Sequence, residues 1–402
     1  MTVGIALVGA GFMGRRHVLG YAALARAGYH RSRLEAIVDL SPATAEATAL
    51  EAEALLGYRP RVYSNLDEAL ANPDVHAIDL VTDPRTHHTI AVTAMEAGLH
   101  VLCEKPLALT VRTGRMIVDA AQRTAMTLAT GENYRRGGSN RLAKAVIESG
   151  VLGELFLFRE VRVGGSDDVI ISPWRHRKLS GSIGLDMPIH YADIIEYLLG
   201  DVATVFGRGF IAEPIRRLAD GQTMEADGED SVVATMRTVG GVDAQLTYLP
   251  SGRGRNYGER VLHGRAGSLE IPPDRSSGDV ILNLEGQRLV GREIAAMLGD
   301  AFALDPVTTT VLGPDGTGGK DAAWADVDAG HLAIEQADFI DAILDGRSPE
   351  VDGMGGLRPL AVVHAIFESG LLGRAVSVDE VLDGSLHAYQ DDIDAQFEEG
   401  TA

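Results

Sequence analysis

"VGIALVGAGFMG", residues 3–14, decides the fold. Its first six residues are apolar or glycine and read as a short buried strand, and a glycine-rich turn follows at once. Glycines stand at 9, 11 and 14, the spacing of a dinucleotide-binding loop. Each has a physical task. Gly9 permits the tight turn, Gly11 lets a pyrophosphate approach the backbone, and Gly14 lets the next helix pack closely on the strand. The helix opening there offers free N–H groups and a positive dipole end to phosphates. Gly9, Gly11, Phe12, Met13 and Gly14 are therefore the expected cofactor-binding residues of the loop.

Outward from this loop, strands and helices alternate. "LEAIVDL" (34–40), "VHAIDLVT" (75–82), "HVLCEK" (100–105) and "MTLATG" (126–131) read as buried strands, with helical runs between them. Strands that are apolar throughout imply a parallel sheet covered on both faces. Asp39 ends the second strand. An acid there accepts from both ribose hydroxyls of the adenosine and repels a 2′-phosphate, which favours NAD over NADP.

Past residue 131 the pattern changes. A long strand, Leu155 to Val163, and a helix, Leu185 to Leu199, precede strand-like stretches at 202–212, 230–238, 242–249, 259–264, 268–271 and 279–284. Consecutive strands with short turns imply antiparallel pairing. Residues 296–326 show no period and read as loops; His331 to Leu344 and Leu357 to Leu371 read as helices. The expected fold class is α/β: an N-terminal Rossmann doubly wound parallel sheet plus a C-terminal α+β domain with a largely antiparallel, open-faced sheet. The expected boundaries are 1–131, 132–378 and an acidic tail at 379–402 that is either helical or disordered.

Bulk properties narrow the function. A chain of 402 residues exceeds one ordinary core. Its 57 acidic against 36 basic residues leave a formal charge of −21, which repels phosphate backbones and anionic lipid, so neither nucleic acid nor membrane is expected as a partner. The lone cysteine, Cys103, allows no intramolecular disulfide, and the start shows no cationic, then apolar, leader; both point to the cytoplasm. His30, His76, His263, His331, His364 and His387 share no metal-ligand spacing, so no metal is expected.

Two stretches carry chemistry. In "HVLCEKPLAL" (100–109) a buried strand runs straight into Glu104, Lys105 and Pro106. In an open parallel sheet ligands bind beyond the carboxyl ends of the strands, where Lys105 emerges. In "GLDMPIHYAD" (184–193) Asp186 and His190 stand four apart and share a helix face, and Pro188 must fall in the first turn. His190 suits a general base. Without further context Asp186 reads equally as an N-cap and His190 as a packed residue. Asp193 is either a partner of His190 or an exposed helix carboxylate.

The glycine loop, "VTDPRTH" (81–87) and "AGLHVLCEKPLAL" (97–109) together resemble the Gfo/Idh/MocA family of oxidoreductases, which includes glucose–fructose oxidoreductase and inositol dehydrogenases. The resemblance continues through "GENYRR" (131–136), "GVLGEL" (150–155), "GSIGLDMPIHYAD" (181–193), "HGRAGSLEI" (263–271) and "ADFIDAILDGRSPEV" (337–351). It implies that Lys105 contacts the reacting hydroxyl beside the nicotinamide, that Glu104 lies near the same end of the cofactor, and that Asp186 and His190 complete the catalytic set. It places Thr82 and His87 along the cofactor cleft, and Asn133 and Arg135 as substrate- or cofactor-facing groups; Trp174 and Arg175 are substrate-facing candidates because they precede the catalytic helix and a tryptophan can stack on a sugar's C–H face. A strand-end threonine, a first-turn histidine and a core tryptophan are the plain alternatives. The chain departs from the family at Ser182 and Ile183, where glycines are common, and at Pro188.

The expected activity is hydride transfer between nicotinamide and a secondary alcohol of a sugar, sugar derivative or cyclitol, in a dimer or tetramer. One rival is a sugar–sugar or glycoside-processing enzyme that recycles a tightly bound NAD. The other is a non-catalytic NAD-binding regulator.

Overall fold

The computed structural model describes residues 2–276, 278–317 and 322–399. The first sheet contains β1 (Val3–Val8), β2 (Ser32–Val38), β3 (Arg61–Tyr63), β4 (Ala77–Leu80), β5 (His100–Glu104) and β6 (Leu128–Gly131). All pairs are parallel, in the order β3-β2-β1-β4-β5-β6. The order reverses between β1 and β4, and that switch point is where open α/β sheets bind ligands. Every residue of β1 and β4 is buried, which explains strands that are apolar throughout. The exception is Asp79, a carboxylate in the middle of β4. β3 leaves no trace in the sequence: three half-exposed residues at a sheet edge carry too little pattern.

The second sheet has nine strands. At its centre Leu155–Val163 pairs antiparallel with Tyr257–Gly264 and parallel with Asp243–Leu249; the other described pairs of this sheet are antiparallel. Ser231–Thr238 shows how it sits: Val232, Ala234 and Met236 are buried while Val233, Thr235 and Arg237 are exposed. This period of two means one covered face and one open face. The helix Gly353–Leu372 lies on the covered face; a Cβ on Gly209 would meet the Phe367 ring at 2.4 Å.

The helix Trp324–Asp345 returns to the first sheet and packs on the helix Phe12–Arg26. Arg16 Nε donates to Asp328 at 2.8 Å and Tyr29 Oη to Asp341 at 2.7 Å. Residues 296–326, expected as loops, contain the end of one short helix, Arg292–Leu298, and the whole of another, Pro306–Leu312. Seven residues are too few to show a period, but Asp305 caps the second helix by accepting from Thr308 N at 2.9 Å, a cap–proline signal that was there to be read. The acidic tail is ordered through its helix Asp391–Glu399. Gln390 accepts from Val111 N at 2.8 Å and Asp394 from Thr110 Oγ1 at 2.7 Å, so the tail caps the helix Val111–Thr124. Among the described residues no helix is long and apolar enough to cross a membrane.

Candidate active site

The glycine loop has the shape its sequence predicts. Gly9 adopts φ +105°, and a Cβ there would strike the Val81 carbonyl at 2.9 Å. A Cβ on Gly14 would lie 2.1 Å from Gly9 O. At Gly11 the same atom would meet nothing within 4 Å, which is the open side a pyrophosphate needs. No side chain caps the helix that follows, so its first N–H groups remain available. Asp39 Oδ2 accepts from Ala10 N and Oδ1 from Ser41 N, both at 2.8 Å, which pins the carboxylate at the mouth of the loop. Phe12 is exposed at the loop's tip, and Met13 Sδ accepts from Arg16 at 3.0 Å. These residues fit a dinucleotide.

Two strands away, Lys105 leaves β5 through a cis peptide to Pro106. Its ammonium donates to Asp186 O at 2.8 Å and to Asp186 Oδ1 at 2.9 Å, which leaves one of three protons for a ligand. Arg175 Nε donates to the other oxygen, Asp186 Oδ2, at 2.9 Å, and its guanidinium stacks 4.2 Å over Trp174. Burial alone would raise the Asp186 carboxyl; Lys105 and then Arg175 outweigh it and hold the group well below the usual carboxylate range. Asp186 closes a one-turn helix, Ile183–Asp186, and Pro188 begins the next, Pro188–Leu199, at the first position, where a missing N–H costs nothing.

His190 lies in the first turn of that second helix. Its Nδ1 is 2.6 Å from Glu132 Oε2, and Nε2 has no hydrogen-bond partner among the described residues. Tyr134 stacks on the imidazole at 4.0 Å with the rings 10° from parallel. Arg275 lies 4.8 Å from the Tyr134 ring and donates to Asn133 Oδ1 at 3.0 Å. Burial, then Lys105 and Arg275, push the His190 imidazole well below its usual value, so it is neutral near pH 7. Burial also pushes the Glu132 carboxyl up to about 8, against the pull of Lys105 and Arg135.

Lys105, Asp186, Arg175 and His190 are thus brought together, with Asn133 beside them. Arg135 is occupied elsewhere: Nε donates to Asp193 Oδ2 at 3.0 Å, Nη2 donates to Asp193 Oδ1, and the guanidinium lies 5.1 Å from the Tyr197 ring. Asp193 is accordingly neither exposed nor bonded to His190; burial raises its carboxyl to about 6 despite Arg135. Thr82 Oγ1 shares a hydrogen bond with Thr86 at 2.8 Å. His87 is fully buried, with Nδ1 facing Pro106 O at 3.1 Å and Nε2 facing Thr82 O at 3.2 Å. It braces the charged turn from behind and turns no nitrogen to the cleft.

Sequence reasoning missed Glu132, although the signal was the one that exposed Lys105: a charge directly after a buried strand, here Glu132 after Gly131. It also missed His17. That imidazole is fully buried between Asp79 (Nδ1–Oδ2, 2.9 Å) and Glu104 (Nε2–Oε1, 3.1 Å). Burial opposes its charge, yet Asp79 and Glu104 raise it well above the usual imidazole value. In turn, burial would raise Glu104, but the His17 hydrogen bond and charge bring it down to about 2. Glu104 Oε2 accepts from Lys105 N at 2.9 Å, so this chain holds the turn that presents Lys105. Asp79 was its readable sign, because a carboxylate inside an apolar strand needs a partner.

The chain matches known proteins over most of its length. Residues 3–132 match the family model described as an oxidoreductase family with an NAD-binding Rossmann fold, and residues 140–270 match the GFO/IDH/MocA C-terminal domain model. Levoglucosan dehydrogenase of Pseudarthrobacter phenanthrenivorans is 28% identical over 400 residues, covering 94% of this chain and 99% of that protein. Inositol 2-dehydrogenase of Rhizobium meliloti is 28% identical over 381 residues, covering 94% and 100%. A levoglucosan dehydrogenase structure in complex with NADH and L-sorbose matches with a TM-score of 0.76 at 26% identity, over 94% of this chain and 99% of that one. With its two parts matched by these two models, the chain belongs to the Gfo/Idh/MocA family of NAD-binding oxidoreductases.

Proposed function

We propose that the protein is an NAD-dependent dehydrogenase of a secondary alcohol on a sugar, sugar derivative or cyclitol. The observation that carries this reading is the approach of Lys105, bonded to Asp186, to His190, held by Glu132, at the carboxyl ends of β5 and β6. A bound nicotinamide supplies acceptance of the hydride. The chain supplies the rest. Lys105 directs its free proton to the alcohol oxygen and stabilises the charge that grows there. His190, neutral and with Nε2 open, takes the hydroxyl proton. Asp186 stays ionised and fixes Lys105, and Arg175 fixes Asp186. Trp174 offers a face on which sugar C–H groups stack. Asp39 at the ribose end favours NAD over NADP.

The test is a panel of anhydrosugars, free sugars and inositols with NAD and with NADP, followed by nicotinamide absorbance. The reading expects steady NADH formation with at least one member and a preference for NAD. Cofactor that co-purifies and never accumulates in reduced form would favour recycling in place; failure to bind either cofactor would end the proposal. The open face of the second sheet, with Phe206, Val233 and Tyr257 exposed, is where copies of the chain are proposed to meet. Light scattering that gives a monomer would refute that part.

A further inference from the structure

Glu132 has no part in the reading above, yet its carboxyl is the nearest partner of the proposed base. It follows β6 directly, is buried, and has Oε2 2.6 Å from His190 Nδ1, while its Oε1 meets no partner among the described residues. The ring it faces is clamped by Tyr134 at 4.0 Å, so it cannot rotate away without losing the stack. A neutral imidazole carries one ring proton, and whichever nitrogen holds it decides whether Nε2 is a donor or an acceptor.

From this geometry we infer that Glu132 is the proton store behind His190, and that its protonation state sets whether the site is poised for alcohol oxidation or carbonyl reduction. When Glu132 is a carboxylate it accepts from Nδ1–H, and Nε2 presents a lone pair to the alcohol. As the carbon loses its hydride, with both electrons, to the cofactor, the hydroxyl proton passes to Nε2 and the Nδ1 proton passes to Glu132 Oε2. The products are the ketone, the reduced cofactor and a Glu132 carboxylic acid. When Glu132 is protonated it donates to Nδ1, the ring proton sits on Nε2, and the same groups run the reverse step. Glu132 acts through His190 and is therefore a positioning residue.

The surroundings place this exchange near neutrality. Burial raises the Glu132 carboxyl to about 8; Lys105 and Arg135 pull it down and Glu104 and Asp186 push it up. Asp193, from the His190 helix, is bound by Arg135, and Arg275 faces the pair across Tyr134. None of these charges hydrogen-bonds Glu132 among the described residues. Since burial keeps His190 itself from charging, only its tautomer changes.

This inference rests on His190 being the proton-transfer group, but its test needs neither cofactor nor substrate. The full chain, labelled with 15N-histidine and with His190 assigned through His190→Gln, is titrated from about pH 6 to about pH 9 by NMR. The expected result is a ring proton that moves from Nε2 to Nδ1 with a midpoint near Glu132's value, and no movement in Glu132→Gln. In turnover, the oxidation rate should rise about tenfold per pH unit below that midpoint. A single His190 tautomer across the range in the wild type overturns the inference even if the variant does not fold, and an unchanged switch in Glu132→Gln overturns it as well. Either result leaves the dehydrogenase reading to be judged by the cofactor and sugar panel.

Discussion

Replacing His17 with glutamine should cost the fold about 3–5 kcal/mol, the range for breaking a buried ion pair by removing one partner. The structure gives a similar figure. His17 is fully buried between Asp79 and Glu104, and it is the first cause that holds Glu104 near 2 against an ordinary 4.5. That shift corresponds to about 3 kcal/mol. The sign with pH is distinctive. In the wild type the Glu104 contribution is present above about pH 4.5 and is lost only as pH falls through about 2. The His17 contribution, with its folded value raised, is fully present below about pH 6.5 and is lost only as pH climbs through that raised value. Both are therefore in place from about pH 5 to about pH 6.5. In His17→Gln the buried Glu104 loses its largest stabilising partner, keeping only the weaker pull of Lys105 and Arg16, and gains by taking a proton. Urea denaturation at about pH 7 and about pH 5 should show the deficit narrowing at the lower pH. A deficit below about 1 kcal/mol at pH 7, or one that widens on acidification, would refute the assignment of this chain as the support of the Lys105 turn.

Lys105→Met should lower kcat by about 10²–10³-fold with NAD binding retained, because the ammonium acts on charge that develops during reaction; equilibrium titration with NAD beside steady-state kinetics checks the split. Asp39→Ala removes the acceptor for Ala10 N and Ser41 N as well as the proposed ribose contact. NAD affinity should fall by about tenfold or more and NADP affinity by less, measured as paired dissociation constants.

The legible part of this protein was local. Gly9, Gly11 and Gly14, the apolar runs of β1, β4 and β5, and the charges after β5 follow from backbone sterics and burial acting within a dozen residues. Those forces write a pattern into adjacent positions, so the doubly wound sheet and the covered-and-open second sheet are legible in the chain alone, whereas the meeting of Lys105 with the Asp186–His190 helix follows only from what the family resemblance implies. Short pieces such as β3 and Pro306–Leu312 escaped because a pattern needs length.

What tertiary structure alone decided was who faces whom. Arg135, expected to face substrate or cofactor, pairs with Asp193 instead; His87, expected along the cleft, braces a turn. Glu132 became the partner of His190 and His17 the link between Asp79 and Glu104 only when strands and helices far apart in the chain were packed together. The reason is that a buried charge must find its counter-charge in space, and hydrogen bonding over 3 Å takes no account of the 58 to 87 residues between those partners along the chain.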